Sequence, residues 1–367
     1  VFLMKNIAVF FGGRSVEHDI SLITGVMTAN SIEKQKFSVL PILVDSDGKW
    51  YSGQQLLDID GYKDLNYKKL NRVTIINGDN TLYIIKGKRL LPKEKIFMAI
   101  NCMHGEYGED GSLAGILRMS SIPFCSPDIL PSSISIDKYF TKMVMKGLNI
   151  PTVNGVLVKD YENLDQIIQK LQFPMIVKPN FLGSSIGVTK VNNKDQLIQA
   201  INLALKYGQS ALIEQCLQDV VEINCAVYRD RQGLVVSECE KPITQGEFLS
   251  FTDKYQSGKR VFPADIDKKY SDKIKSFTKK VYESLGFSGV IRIDYFLCDG
   301  KVYLNEINSV PGSLSYYLFG DTLKSFSKML NSLIECGERE YLQNCTFLRE
   351  YKSGILKGFG SKGAKRL

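Results

Sequence analysis

Residues 290–308 read VIRIDYFLCDGKVYLNEIN, two apolar strand patterns joined by Asp299-Gly300. Side chains alternate faces along a strand, so Arg292 and Asp294 share one face of the first run, and Glu306 and Asn308 share one face of the second. Isolated acids on a sheet usually mark a solvated surface. These pairs instead sit inside apolar runs, Val290 to Leu297 and Val302 to Ile307, beside Pro311-Gly312, where a ligand can approach the backbone. An aspartate, a glutamate and an asparagine are hard oxygen ligands of the kind magnesium uses when it also holds nucleotide phosphates. Register decides whether they can act together. Asp299-Gly300 is the signal for a two-residue turn, which would pair Cys298 with Lys301, Asp294 with Asn305 and Ile293 with Glu306, and so put the acids on opposite faces. Pairing Cys298 with Val302, through a three-residue loop or an equivalent bulge, sets Asp294 opposite Glu306 and Arg292 opposite Asn308. One shared site requires this odd register, and it is the register expected.

Upstream of the hairpin, a helix carries Ile274, Phe277, Val281 and Leu285 on one face, and the alternation Val221, Ile223, Cys225, Val227 reads as a half-buried strand. Gly233 to Cys239 reads as another. The Gly-, Ser- and charge-rich stretch from Gln245 to Lys259 is long enough for a lid. Further back, strands are expected at Met175 to Lys178 and Ala211 to Glu214, with a helix from Asp195 to Lys206 between them, a small α+β unit. The loop KPNFLGSSIG at 178–187 offers one lysine, two hydroxyls and two glycines. It reads equally as a backbone cradle for phosphate and as an ordinary Gly-Ser hairpin. Helical spacing over Ser135 to Lys146 places Ile136, Phe140, Met143 and Val144 on the apolar face, and three prolines between Ile122 and Pro131 mark a boundary near 127. Before that boundary, KNIAVFF at 5–11 runs into Gly12-Gly13 and a helix start near Glu17. Phe37 to Val44 and Ile96 to Cys102 repeat the strand signal, the latter feeding HGEYGEDG at 104–111. This first part is expected to be a layered βα domain with polar loops at its strand ends.

At 367 residues, the chain is too long for one ordinary core. Its 44% hydrophobic and 23% charged content suits folded, soluble domains, and no apolar stretch approaches the roughly 20 residues of a membrane span. A membrane location and ordinary secretion are disfavoured. The eight cysteines form no C-x-x-C pair and only two histidines accompany them, so zinc and disulfide frameworks give way to thiols in a reducing cytoplasm. The net charge of +8 is densest in the tail from Lys352 to Arg366, read as a frayed end. With no basic stripe or nucleic-acid motif, nucleic acid is not an expected partner, whereas small anions are. Neither His18 nor His104 earns a general-base role by its position alone, and no serine or cysteine has the neighbours of a nucleophile.

The chain resembles the D-alanine:D-alanine ligases of the ATP-grasp superfamily along nearly its whole length. The matching stretches are FFGGRSVEHDIS at 10–21, HGEYGEDGSLAGIL at 104–117, SISIDKYFTK at 133–142, FPMIVKPNFLGSSIGV at 173–188, LIEQCL at 212–217, EFLSFTDKY at 247–255, IRIDYF at 291–296 and LNEINSVPGS at 304–313. The resemblance implies an α/β and α+β fold in three domains: 1–127 on the substrate side, 128–220 as the central ATP-grasp subdomain and 221–350 as the catalytic one, with 351–367 a basic tail. It also implies ATP and Mg2+ (Mn2+ as a substitute), D-alanine as substrate and a cytoplasmic ligase for peptidoglycan precursors that works through an acyl phosphate. A symmetric homodimer is the commonest assembly for such a chain.

By the same resemblance, Lys138, Lys178 and Lys254 contact phosphates, and Asp294, Glu306 and Asn308 hold magnesium. Arg292 and the Gly312 N–H stabilise the tetrahedral oxyanion. Glu17 holds the first substrate's ammonium, with Ser184 and Tyr255 as its hydrogen-bonded partners and His104 on the substrate side. Adenine rests near Glu214, Gln215, Cys216, Leu217 and Phe248, with Glu222 on the ribose. The second-substrate pocket falls to Ser313, Ser315 and Tyr317, where the chain departs from the His-Ser pair usual after Pro-Gly. The spacing from Glu214 to Glu222 is one residue longer than usual, and Phe251 replaces a common lid tyrosine. The alternatives are D-serine, D-lactate or another second substrate, and a nucleotide-binding protein without catalysis. Because the lid stretch lacks a histidine, an amine acceptor is expected in preference to D-lactate.

Overall fold

The structure, a computed structural model, describes residues 4–243 and 259–354. The opening apolar run forms β1 (Lys5–Gly12) and leads through Glu17 into α1 (His18–Ser31), which crosses to β2 (Phe37–Val44), parallel to β1. Four antiparallel strands follow, β3 (Trp50–Ser52), β4 (Asn71–Ile76), β5 (Asp79–Lys86) and β6 (Arg89–Lys95), before β7 (Met98–Asn101) returns to the other side of β1. The sheet order is β6-β5-β4-β3-β2-β1-β7. The parallel strands were readable because they are buried runs, whereas β6 exposes most of its residues and offers no apolar pattern. After the glycine-rich loop comes α2 (Ser112–Met119).

The helix expected over Ser135 to Lys146 is two helices, α3 (Ile129–Ile136) and α4 (Lys138–Gly147). Asp137 breaks them apart, its carboxylate accepting the Phe140 N–H at 2.8 Å as an N-cap. The expected apolar face is also corrected. Phe140 and Met143 are exposed, and α4 buries Lys138, Thr141, Lys142 and Met145 instead. A second, antiparallel sheet, in the order β10-β9-β11-β8, comprises β8 (Gly155–Val158), β9 (Met175–Pro179), β10 (Thr189–Val191) and β11 (Ala211–Gln215), with α5 (Leu164–Leu171) and α6 (Lys194–Leu205) in the same segment.

The third sheet joins β12 (Val221–Arg229) and β13 (Leu234–Val236) to the closing hairpin; a short ribbon of β14 (Lys241–Pro242) and β15 (Arg260–Val261) and the helix α7 (Lys268–Ser284) intervene. The hairpin is β16 (Val290–Cys298) and β17 (Lys301–Asn308). Its register is odd where it matters: Asp294 pairs with Glu306 and Arg292 with Asn308. The expected pairing of Cys298 with Val302 is corrected, since Cys298 pairs with Lys301 across a two-residue turn whose Asp299 and Gly300 both have positive φ (49° and 70°). The register shifts instead between Asp294 and Tyr295, leaving Asn305 as the extra, bulged residue.

A final helix, α8 (Leu323–Cys345), puts Phe326, Met329, Leu330, Leu333 and Ile334 into the same apolar cluster as Ile7, Val9 and Ile100 of the first sheet. The helix thereby packs against the first sheet. None of the eight cysteines is in a disulfide, and among the described residues no helix is long and apolar enough to cross a membrane.

The contact that seats α1 is a glycine. A Cβ on Gly25 would lie 2.2 Å from Phe11 Cβ of β1, so Gly25→Ala must lift the helix off the sheet. Overpacking of this kind costs about 1–3 kcal/mol. Thermal unfolding should show a lowered midpoint for this substitution; an unchanged midpoint would mean the helix can shift without cost.

Candidate active site

Pairing across the third sheet puts Glu222 beside Phe296, Asn224 beside Asp294, and Asp294 beside Glu306. One face therefore carries the polar residues, while Ile223, Cys225, Ile293, Tyr295, Leu304 and Ile307 pack on the other side with Ile274, Phe277 and Val281 of α7. On the polar face Arg292 donates from Nε and Nη2 to the two oxygens of Asp294, at 2.7 and 2.9 Å. Asn308 Nδ2 donates to Asp294 Oδ2 at 3.1 Å. Such two-pronged contacts fix both side chains in orientation as well as in place.

This face borders two cavities. The larger, about 540 Å3, is lined by Lys138, Lys178, Glu214 to Leu217, Glu222, Asp294, Asn305 and Glu306. Lys178 Nζ lies 2.6 Å from Glu214 Oε2 and 3.4 Å from Oδ1 of the bulged Asn305. Lys138 Nζ donates to Leu182 O at 2.7 Å and stands 3.8 Å from Glu306 Oε2. Asn180 joins the 178–187 loop to α4, donating to Asp137 Oδ1 at 2.9 Å and accepting the Tyr139 N–H at 3.0 Å. The loop joins the antiparallel β9 and β10, and this wiring fixes it against α4. Burial pushes the Lys138 and Lys142 ammoniums below the usual lysine range. Burial also opposes charge on Glu214, but Lys178 and Lys142 together hold its carboxyl down at about 2.

The smaller cavity, about 280 Å3, is lined by Glu17, Thr24, His104, Glu109, Ser184, Arg292, Asn308, Gly312, Ser313 and Tyr317, among others. Ser184 donates to the Glu17 carboxylate. Gly105, with φ of 69°, lets the chain pass this carboxylate: a Cβ there would come within 2.9 Å of Glu17 Oε2. His104 Nε2 and Thr24 Oγ1 are 2.8 Å apart, and Thr24 Oγ1 accepts the Ser313 N–H at 3.1 Å. Burial drives the His104 ring down to about 4, against a hydrogen bond to the Val310 backbone that favours the protonated form. The ring is therefore neutral at physiological pH, which makes it a poor proton acceptor there. Glu109 accepts the N–H groups of Gly105 and Val310 at 2.9 and 3.0 Å, and burial with the nearby Glu17 charge pushes its carboxyl up to about 7. Ser313, Leu314 and Ser315 all have φ near 50°. At the rim, the Arg260 guanidinium sits 4.5 Å over the Tyr317 ring and 3.6 Å from Glu240.

Most expected site residues thus gather around one strand face. Ser315 does not: it is fully buried beneath its turn and does not line the smaller cavity. Phe248, Lys254 and Tyr255 lie outside the described residues. Thr24, Glu109, Lys142, Asn305 and Arg260 were missed. Glu109, Lys142 and Asn305 lie within the quoted stretches HGEYGEDG, SISIDKYFTK and LNEINSVPGS, whereas Thr24 and Arg260 lie in none of them.

A family model of the D-ala D-ala ligase N-terminus matches residues 6–127, and one of the C-terminus matches residues 143–335. The chain belongs to the D-alanine:D-alanine ligase family. It is 37% identical over 344 residues to the D-alanine--D-alanine ligase of Thermosipho africanus, covering 90% of this chain and 92% of that one. The solved structure of D-alanine-D-alanine ligase from Helicobacter pylori matches with a TM-score of 0.75 at 31% identity, covering 91% of this chain and 98% of that one. The VanG D-Ala:D-Ser ligase from Enterococcus faecalis matches with a TM-score of 0.78 at 29% identity, covering 91% and 100%. The mixed α/β architecture is that of the family's ATP-grasp structures.

For this ligase-family chain, buried His104 couples stability to pH. An unfolded histidine takes up its proton near pH 6.5, whereas the folded ring refuses it until about 4. Stability from this group is complete above the unfolded value and is lost as pH falls between the two. In urea titrations, the stability gap between wild type and His104→Gln should narrow by about 2 kcal/mol from about pH 7.5 to about pH 5. A constant gap would contradict the neutral buried ring.

Proposed function

We propose that this protein joins two D-alanines into D-alanyl-D-alanine at the expense of ATP, in the cytoplasmic supply of peptidoglycan precursors. The observation that carries this reading is the single strand face shared by two cavities. Asp294 and Glu306 line the larger one, Arg292 and Asn308 line the smaller one, and the Arg292–Asp294 pair bridges them. A phosphoryl group handed from a nucleotide in the larger cavity to a carboxylate in the smaller one would cross here.

In this reading, adenine and ribose occupy the end near Glu214 to Leu217 and Glu222. Lys138 and Lys178, with Lys254 from the lid stretch, neutralise the phosphates as charge spreads over the transferring group. The first D-alanine places its ammonium at Glu17, whose carboxylate Ser184 orients, and its carboxylate attacks the γ-phosphorus. ADP leaves and an acyl phosphate remains. The deprotonated amine of the second D-alanine attacks the acyl carbon, and Arg292 with the Gly312 N–H stabilises the oxyanion. Collapse expels inorganic phosphate and leaves the peptide bond, with no covalent enzyme intermediate. The oxygen donors of Asp294, Glu306 and Asn308 share one face beside the larger cavity, and among the described residues no three acidic, histidine or cysteine side chains form a metal cage of their own. That donor set suits Mg2+ (or Mn2+) completed by nucleotide oxygens. When bound, the ion would supply charge neutralisation between the phosphates.

The second substrate is the open term. Tyr317 under Arg260 shapes the rim where the family pattern usually places a small hydroxyl residue, so D-serine is a second reading. With no histidine in the stretch expected as the lid, an ammonium-bearing acceptor is not repelled.

Phosphate release should require ATP, D-alanine and a divalent metal. It should be faster with D-alanine or D-serine as acceptor than with D-lactate at neutral pH. Glu306→Gln should lower the rate by about 100-fold or more while leaving the unfolding midpoint within a few degrees of wild type. Release without D-alanine, faster depsipeptide than dipeptide formation, or a fully active Glu306→Gln would each count against the assignment.

A further inference from the structure

Lys142 follows Lys138 by one helical turn on α4, yet it lines neither the larger nor the smaller cavity. Its side chain is buried, donates to Val153 O at 3.0 Å and pairs with the Glu214 carboxylate. The other oxygen of that carboxylate holds Lys178 at 2.6 Å. Two ammoniums thus enclose one carboxylate in a buried cluster of net charge +1, and only Lys178 and Glu214 face the larger cavity.

Such a cluster has more cation than it needs, and the excess has a use. With Lys178 as its sole partner, Glu214 would form a neutral closed pair. Drawing Lys178 away toward a phosphate would then strand a buried anion, and breaking one side of a buried pair is strongly unfavourable. Lys142 removes that obstacle, because Glu214 keeps a partner on the side away from the cavity whether or not Lys178 turns.

We propose that Lys142 is a positioning residue for the nucleotide, holding Glu214 in place from behind so that Lys178 is available to the phosphates. This rests on the reading of the larger cavity as the ATP site. Lys142 touches no substrate and acts through Glu214 alone, which gives the idea a test that a merely structural lysine would not pass.

ATP binding to the full chain with magnesium, measured by calorimetry, should weaken at least about tenfold in Lys142→Met. Adding Glu214→Gln should recover much of that loss, since a neutral amide needs no counter-ion and no longer detains Lys178. Glu214→Gln alone and Lys142→Met/Glu214→Gln should bind ATP within about threefold of each other, because with the carboxylate gone Lys142 has nothing to act through. That comparison stands even where Lys142→Met alone fails to fold. Unchanged ATP affinity in a folded Lys142→Met, or a larger gap between the two Glu214→Gln proteins, overturns the proposal. Absence of ATP binding by wild type strikes the ATP reading itself and removes this inference with it.

Discussion

One extra residue in β17 lets two incompatible demands be met in a nineteen-residue hairpin. The Asp299-Gly300 pair favours the tightest turn, with both residues left-handed, and that turn alone would send Asp294 and Glu306 to opposite faces. Bulging at Asn305 shifts the register once, midway along the ladder, so the turn stays tight while Glu306 and Asn308 come round to face Asp294 and Arg292. The extra residue is itself used, since Asn305 reaches the larger cavity and Lys178. Everything proposed for the site depends on this offset. Without it the Arg292–Asp294 pair would face Ile307 and Asn305 rather than the polar pair.

Around that face, charge is buried on a scale that packing alone would not support. Lys138, Lys142, Lys178 and Glu214 are each less than a tenth exposed. Burial penalises every one of these charges, and they persist because each is hydrogen-bonded or paired. A cavity wall built this way is preorganised for an anion: its cations are oriented by protein groups before any phosphate arrives. The polar wiring of Asn180 between α4 and the 178–187 loop serves the same end, since it fixes the helix that carries two of these lysines.

The same burial explains what could and could not be read from the sequence. β1, β2 and β16 were legible because they are apolar runs ending in turn residues, and the candidate site residues of the hairpin were legible because polar pairs interrupted such runs. The face of α4 was misread by the same rule. Periodicity assigns lysines to solvent, yet Lys142 faces inward to Glu214 and Lys138 to Leu182 O and Glu306, partners more than 40 residues away that no local pattern reveals, while Phe140 and Met143 lie outside. The bulge was expected as one way to make the offset, but its place in the ladder, between Asp294 and Tyr295, was not deducible. Thr24 and Glu109 escaped because their roles consist of hydrogen bonds to the backbone of a loop some 200 or more residues later.

That loop is where the first sheet's domain reaches the chemistry. Ser313, Leu314 and Ser315 hold a left-handed conformation that costs an L-residue roughly 1–2 kcal/mol each. Such strain persists only where surrounding contacts over-determine it. Here the contacts come from three directions: Glu109 takes the Val310 N–H, Thr24 takes the Ser313 N–H, and Leu314 is buried in the cluster shared with β1 and α8. The Gly312 N–H, proposed to meet the oxyanion, lies between the first two anchors. His104, hydrogen-bonded to Thr24 and to Val310, braces both of them, and the same loop's Gly105 closes on Glu17, where the first substrate's ammonium is proposed to sit. The residues that would hold the donor and those that would hold the acceptor end are thus fastened to one short network of hydrogen bonds.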